Sequence, residues 1–231
     1  MIATDSFVFL HLHKSGGSFA NDCIRQHLPG ARELGYHLPR SLIPTELAAL
    51  PVLGLVRNPW SYYVSWYSFQ KQRPRPNALF RVLSNEGQLD FDTTIHNMLD
   101  LGQDDVLLAR LVELLPAQYG NGGLNLPGFA LKPIRSSGLG FYSFLYRYMY
   151  DGGPAAAHIG LMEDLPHSLL ALLARAEQPV STALRAYALG APRRNPSEHA
   201  AYASYYQPPL RDRIASQDAA VIDAHGYRFG A

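Results

Sequence analysis

Two apolar runs in this chain end abruptly in charged and small residues. Phe7-Val-Phe-Leu10 continues through His11-Leu-His13 and turns polar at Lys14-Ser-Gly-Gly-Ser18, after which apolar residues resume with Phe19 and Ile24. That pattern predicts a strand over 6–12 and a helix over 17–28. The second run, Pro51-Val-Leu-Gly-Leu-Val56, predicts a strand over 51–56 and leads through Arg57-Asn58 into a helix over 59–71. Pro59 suits a first helical turn, where its missing N–H costs little, and Arg73-Pro-Arg-Pro76 breaks the helix. Helices are expected over 92–101 and 105–115, the latter with a Leu/Val stripe, and a long Gly/Asn/Pro-rich loop over 116–133. The segment 141–150 is dense in aromatics. A buried strand is expected over 157–162, then helices over 166–177, 181–189, 198–206 and 209–224. No internal repeat is visible. Strands alternating with helices predict an α/β fold, a parallel sheet with helices on both faces.

The two strand-to-helix junctions carry the chemistry. A tight Gly-rich loop before a helix points backbone N–H groups at an anion, and the helix dipole adds to the attraction. In the usual nucleoside-triphosphate loop, GxxxxGK[ST], the lysine follows the glycines, whereas here Lys14 precedes Gly16 and Gly17. The order keeps the phosphate cradle but argues against an ordinary ATPase or kinase loop. At the second junction Arg57 can grip a phosphate with two N–H groups, and Ser65, about two turns into the helix, can add a hydroxyl. Together the junctions suggest one ligand with phosphates at both ends.

His13-Lys14-Ser15-Gly16-Gly17-Ser18 resembles the PK[ST]GG[ST] loop of sulfotransferases that use PAPS (3′-phosphoadenosine 5′-phosphosulfate), with histidine where proline is common. Arg57-Asn58-Pro59 through Ser65-Trp66-Tyr67 resembles that family's RxPxxxxxSxY segment. The likeness covers roughly 6–28 and 51–70, with a weaker one from His158 to Phe229. It is nearest in style to the carbohydrate and heparan sulfate 2-O-sulfotransferase branch. It implies a P-loop-like three-layer sandwich around a central parallel sheet, binding of the 5′-phosphosulfate by Lys14, Ser15, Gly16, Gly17 and Ser18, and binding of the 3′-phosphate by Arg57 and Ser65. Phe19 stands where many members carry tryptophan and could stack on adenine or pack in the core. A late Arg193-Arg194-Asn195-Pro196-Ser197 stretch loosely resembles the segment that closes over the nucleotide, which nominates Arg194 and Asn195.

Bulk properties fit this picture. The 231 residues suit one domain, and the net charge of +1 offers no broad basic field for nucleic acid or a highly sulfated polysaccharide. The single cysteine, Cys23, excludes an intramolecular disulfide and fits a cytoplasmic location. No apolar run is long enough for a membrane span, and the first apolar run, leading into the Lys14 loop, reads as a core strand instead of a signal peptide.

In the resemblance, Lys14 stabilises charge on the leaving phosphate oxygen. The acceptor hydroxyl needs a general base, and histidine titrates in the right range. His37 lies 23 residues after Lys14, similar to the spacing of the catalytic histidine in the heparan sulfate 2-O-sulfotransferases. His13 and Glu33 are the other choices for the base. His11 and His13 alternate on one side of the first strand but lack a third ligand for a metal. Asp164 either matches an acidic family position with Glu163 or caps a helix. The aromatic segment 141–150 could line an acceptor pocket, form a lid or build core. The expected protein is a metal-independent sulfotransferase using PAPS, with PAP as product and a small-molecule, lipid or sugar acceptor. A P-loop-type kinase and a non-catalytic PAP-binding protein are the alternatives.

Overall fold

The computed structural model describes residues 1–190 and 199–230, and the chain forms two compact units. The first comprises Met1–Arg57 and Tyr146–Pro196, the second Asn58–Leu145 and Ser197–Ala231.

The first unit holds a five-stranded sheet: β1 (Ile2–Ala3), β2 (Val8–Leu10), β3 (Arg32–Glu33), β4 (Val52–Val56) and β5 (His158–Leu161), in the order β3-β1-β2-β4-β5. β2, β4 and β5 run parallel, whereas β1 is antiparallel to both β2 and β3. The fold is therefore α/β with a mixed sheet, and the expected central parallel sheet reduces to three strands. The reason is local. β1 and β2 are joined by a short turn in which the Thr4 hydroxyl accepts the Phe7 N–H at 3.1 Å, and so tight a connection can only make an antiparallel pair.

α1 (Gly17–His27) follows β2, α8 (Leu165–Arg175) follows β5, and α9 (Thr182–Gly190) follows α8. Phe9, Leu53 and Leu55 form one core with Phe19, Cys23 and Ile24 of α1, Leu169 and Leu173 of α8, and Leu184 of α9. Side chains alternate across a strand, so Gly54 faces the other way. There the ring of Tyr150, at the end of α7 (Phe141–Tyr150), lies so close that a Cβ on Gly54 would stand 2.2 Å from it.

The second unit is helical: α2 (Pro59–Lys71), α3 (Ala78–Leu83), α4 (Phe91–Asp100), α5 (Asp105–Leu114), α6 (Gly128–Leu131), the start of α7, α10 (Pro208–Gln217) and α11 (Ala219–His225). α2, α3, α4 and α5 are capped by Asn58, Asn77, Asp90 and Asp104, whose side chains accept a first-turn N–H. The expected loop over 116–133 contains α6 and runs into a 3₁₀ turn, Lys132–Ser136. The expected helix over 209–224 divides at Asp218, which is fully buried and accepts hydrogen bonds from the Tyr63 hydroxyl and the Ser143 N–H, both at 2.7 Å. Burial pushes its carboxyl up to about 6, and the two hydrogen bonds oppose that rise. No helix among the described residues is long and apolar enough to cross a membrane.

Candidate anion-binding and catalytic site

β2 ends at Leu10, and the chain passes through His11, Leu12 and a turn over His13–Gly16 into α1. Two backbone features shape this turn. Lys14 and Gly16 both lie in the left-handed region, with φ of 56° and 81°. Gly16 is the N-cap of α1 and supplies no side chain, so the first N–H groups of the helix have no side-chain cap. Gly17 is required for a steric reason, because a Cβ there would stand 1.8 Å from the His11 ring. Ser15 is buried, and its hydroxyl donates to the His13 carbonyl at 3.2 Å, bracing the turn from within. Ser18 is exposed. A Cβ on Gly16 would stand 3.0 Å from the Leu165 side chain, so both glycines are packed closely by neighbouring side chains.

Arg57 leaves the end of β4, the parallel neighbour of β2, and is buried. Its Nη1 donates to the Lys14 carbonyl at 3.2 Å. The left-handed turn at Lys14 and the strand end at Arg57 are thereby joined at the carboxyl edge of two parallel strands, the usual ligand crevice of α/β sheets. Ser65 is buried in α2 of the second unit.

The histidines expected to face one side do so. The His37 ring stacks on His13, with centroids 3.8 Å apart, and packs against His11 at 4.2 Å. Tyr36 closes over the edge of His37 at 4.0 Å. His37 is buried, and its Nδ1 donates to the His11 carbonyl at 2.6 Å, since a carbonyl can only accept. The neutral ring therefore carries its proton on Nδ1 and keeps Nε2 as the basic nitrogen. Burial holds the His37 pKa well below its usual value, His13 and His11 push it the same way, and the bond to the His11 carbonyl opposes them. Burial, then His13, pushes His11 down to about 3. Asn21 Nδ2 lies 3.3 Å from His11 Nδ1 and donates to it. His37 also has a left-handed backbone, with φ of 51°. Stacked rings present faces to one another and do not converge on a point. No group of three His, Cys, Asp or Glu among the described residues is arranged to hold a metal.

Other expectations fall out differently. Phe19 is buried in the core with Phe9 and Leu53. Glu33 is exposed on β3 and paired with Arg25 at 3.2 Å, so it is the weakest of the three candidate bases. Asp164 begins α8 without capping it through its side chain, and its carboxylate meets His167 Nδ1 at 2.7 Å. Arg194 and Asn195 lie outside the described residues.

Three residues of this unit that belong to neither motif also shape the site. His11 joins the glycine loop to His37. Tyr150 places its hydroxyl between β2 and β4, accepting from the Leu55 N–H at 3.1 Å and donating to the Leu55 carbonyl at 2.9 Å. Arg40, three residues after His37, is buried and donates from Nη1 to the Tyr150 carbonyl at 3.1 Å. The alternation of His11 and His13 was the one available signal; for Tyr150 and Arg40 there was none. A scan against protein-family models finds no match for this chain, and a search of curated proteins finds none either.

Proposed function

We propose that this chain is a PAPS-dependent sulfotransferase that moves a sulfuryl group to a hydroxyl, with an amine as the second choice, of a small-molecule, lipid or sugar acceptor. One observation carries the reading. The two junctions that sequence nominates as the two phosphate grips lie on adjacent parallel strands and are fastened by the Arg57–Lys14 hydrogen bond, with the candidate base His37 stacked on His13 beside them.

PAPS supplies an activated sulfuryl group on a phosphate leaving group. The loop amides from Gly16 onward and the Lys14 ammonium hold the 5′ end and balance the charge that grows on the leaving oxygen. Arg57, at the end of β4, is assigned to the 3′-phosphate by the motif, with a guanidinium suited to a bidentate grip. Ser65 is assigned to the same phosphate by motif spacing. His37 Nε2 takes the acceptor proton, while Nδ1–H, fixed on the His11 carbonyl, sets the ring's tautomer and orientation. Positioning and electrostatics do most of the work, as in phosphoryl transfer.

Calorimetric titration of the full chain tests the reading. PAP should bind at least about tenfold more tightly than ATP or adenosine 5′-phosphosulfate, since a charged hydrogen bond is worth roughly 1.5–3 kcal/mol. Arg57→Ala should erase most of that preference. Equal binding of PAP and adenosine 5′-phosphosulfate would sink the assignment, and a preference for ATP would favour the kinase alternative. PAP binding without transfer from PAPS to any panel of alcohols and phenols would favour the non-catalytic one.

A further inference from the structure

A cavity in the first unit, of about 470 Å³, is lined by Arg40, Tyr146, Tyr150, Asp151, Gly152 and Gly153 among others. That volume lies within the range of small-molecule sites. Its one cation among the described residues is unusual. Arg40 is only 8% exposed, its single hydrogen bond goes to the Tyr150 carbonyl, and it pairs with no carboxylate among the described residues. A guanidinium stays charged at every accessible pH and has five N–H donors, so four are left for something else. Buried charges in proteins are paired, because an unpaired one forfeits its hydration.

The surroundings hold this cation in place. Gly153 lies flat on the guanidinium: a Cβ there would stand 2.0 Å from Cζ and 2.1 Å from both Nε and Nη2. Any other residue at 153 would push the arginine aside. Tyr150 is anchored through its hydroxyl to Leu55, and Tyr146 packs edge-on against it at 5.2 Å. Asp151 lines the same cavity but is exposed and forms no ion pair with Arg40.

We propose that this cavity binds a small molecule bearing an oxyanion on an aromatic or apolar body, with Arg40 as the counter-ion and Tyr146 and Tyr150 as the apolar wall. The chemistry is shared by carboxylates and by phosphate or sulfate esters, since all match the planar fork of arginine. The site uses none of the residues assigned to the nucleotide, and it stands whether or not the chain transfers sulfuryl groups.

Nitrogen-15 NMR of the labelled full chain tests it, reading the Arg40 Nε–H and the amides of Gly152 and Gly153. Benzoate, phenyl phosphate and benzyl alcohol are the probes. At least one of the two anions should shift these signals to saturation, and benzyl alcohol should not; the tighter anion identifies the ester or carboxylate class. Arg40→Gln should weaken that binding about tenfold or more, and Arg40→Lys, which keeps the charge without the fork, should lie between. Equal affinity in Arg40→Gln, saturation by benzyl alcohol, or no binding of either anion would overturn the proposal. So would shifts confined to Gly16 and Gly17, which would send the anion to the loop. Anion binding seen only in Asp151→Asn would also overturn it, by making Asp151 the counter-ion that Arg40 uses in solution.

Discussion

At the scale of single residues, the site is organised by His11. Its ring occupies the space beside Gly17, its carbonyl fixes His37, and its Nδ1 takes a hydrogen bond from Asn21. Sequence could nominate Lys14, His37 and Arg57, because motif order and spacing survive without coordinates. It could not distinguish a core Phe19 from a stacking one, since burial depends on the helices that α1 meets. Burial of His11 and His37 has a direct consequence. Both pKa values are lowered, so both rings stay neutral well below pH 6.5, the ordinary histidine value. The Cε1–H proton signals of these two histidines should therefore not titrate between pH 8 and pH 5.5. In any transfer assay the acid limb due to His37 should likewise fall well below pH 6.5. A midpoint near 6.5 for His37 would mean that the ring is solvated and not stacked as described.

At the scale of elements, the strongly patterned segments were legible and the short ones were not. β2, β4 and β5 lie inside the expected strands, and α1 and α2 match their expected helices closely. β1 and β3 have two residues each, too few for any alternation to register, yet they make the sheet mixed. α3 has six residues and was not among the expected helices. The aromatic segment 141–150 became a helix whose last residue completes the sheet. β2 stops at Leu10, opposite Gly54, so Leu55 has lost its β2 neighbour and turns to the Tyr150 hydroxyl instead. Tyr150→Phe strands a buried N–H and a buried carbonyl. It should lower stability by about 1–3 kcal/mol in urea denaturation without changing the slope. A loss under 0.5 kcal/mol would show that water or another donor takes over.

At the scale of the whole molecule, acid stability is a contest between buried groups of opposite habit. His11 and His37 have lowered pKa values, so the unfolded chain binds more protons than the folded one below about pH 6.5. Their neutral burial is tolerated above that pH and costs stability as the pH falls toward their folded values. Asp218, raised from 3.8 to about 6, works the other way: the folded chain gains a proton first, so it adds stability as the pH falls from about 6 to 4. Each group contributes at most about 1.4 kcal/mol per pH unit inside its window. Between pH 6 and 4 the two histidines should outweigh the one carboxyl, and global stability should fall. Asp218→Asn removes the opposing group and should roughly double the fall, measured by urea unfolding at half-unit pH steps. An unchanged pH dependence in that variant would show that Asp218 is already protonated, or never protonated, across the range.

The left-handed backbone at Lys14 and His37 separates what folding wants from what chemistry wants. A non-glycine residue there is disfavoured by roughly 1–2 kcal/mol, a strain that a folded chain tolerates only where its surroundings enforce it. Lys14→Ala and Lys14→Gly remove the same ammonium but differ in this strain, so the glycine variant should be the more stable by about 1 kcal/mol in thermal or urea unfolding. Neither should support transfer. A library randomised at 14 and selected only for soluble expression should therefore drift toward glycine and asparagine, while one selected for activity should return lysine. The gap between those two outcomes would measure, in allele frequencies, how much foldability this chain gives up to keep a charge at the mouth of its glycine loop.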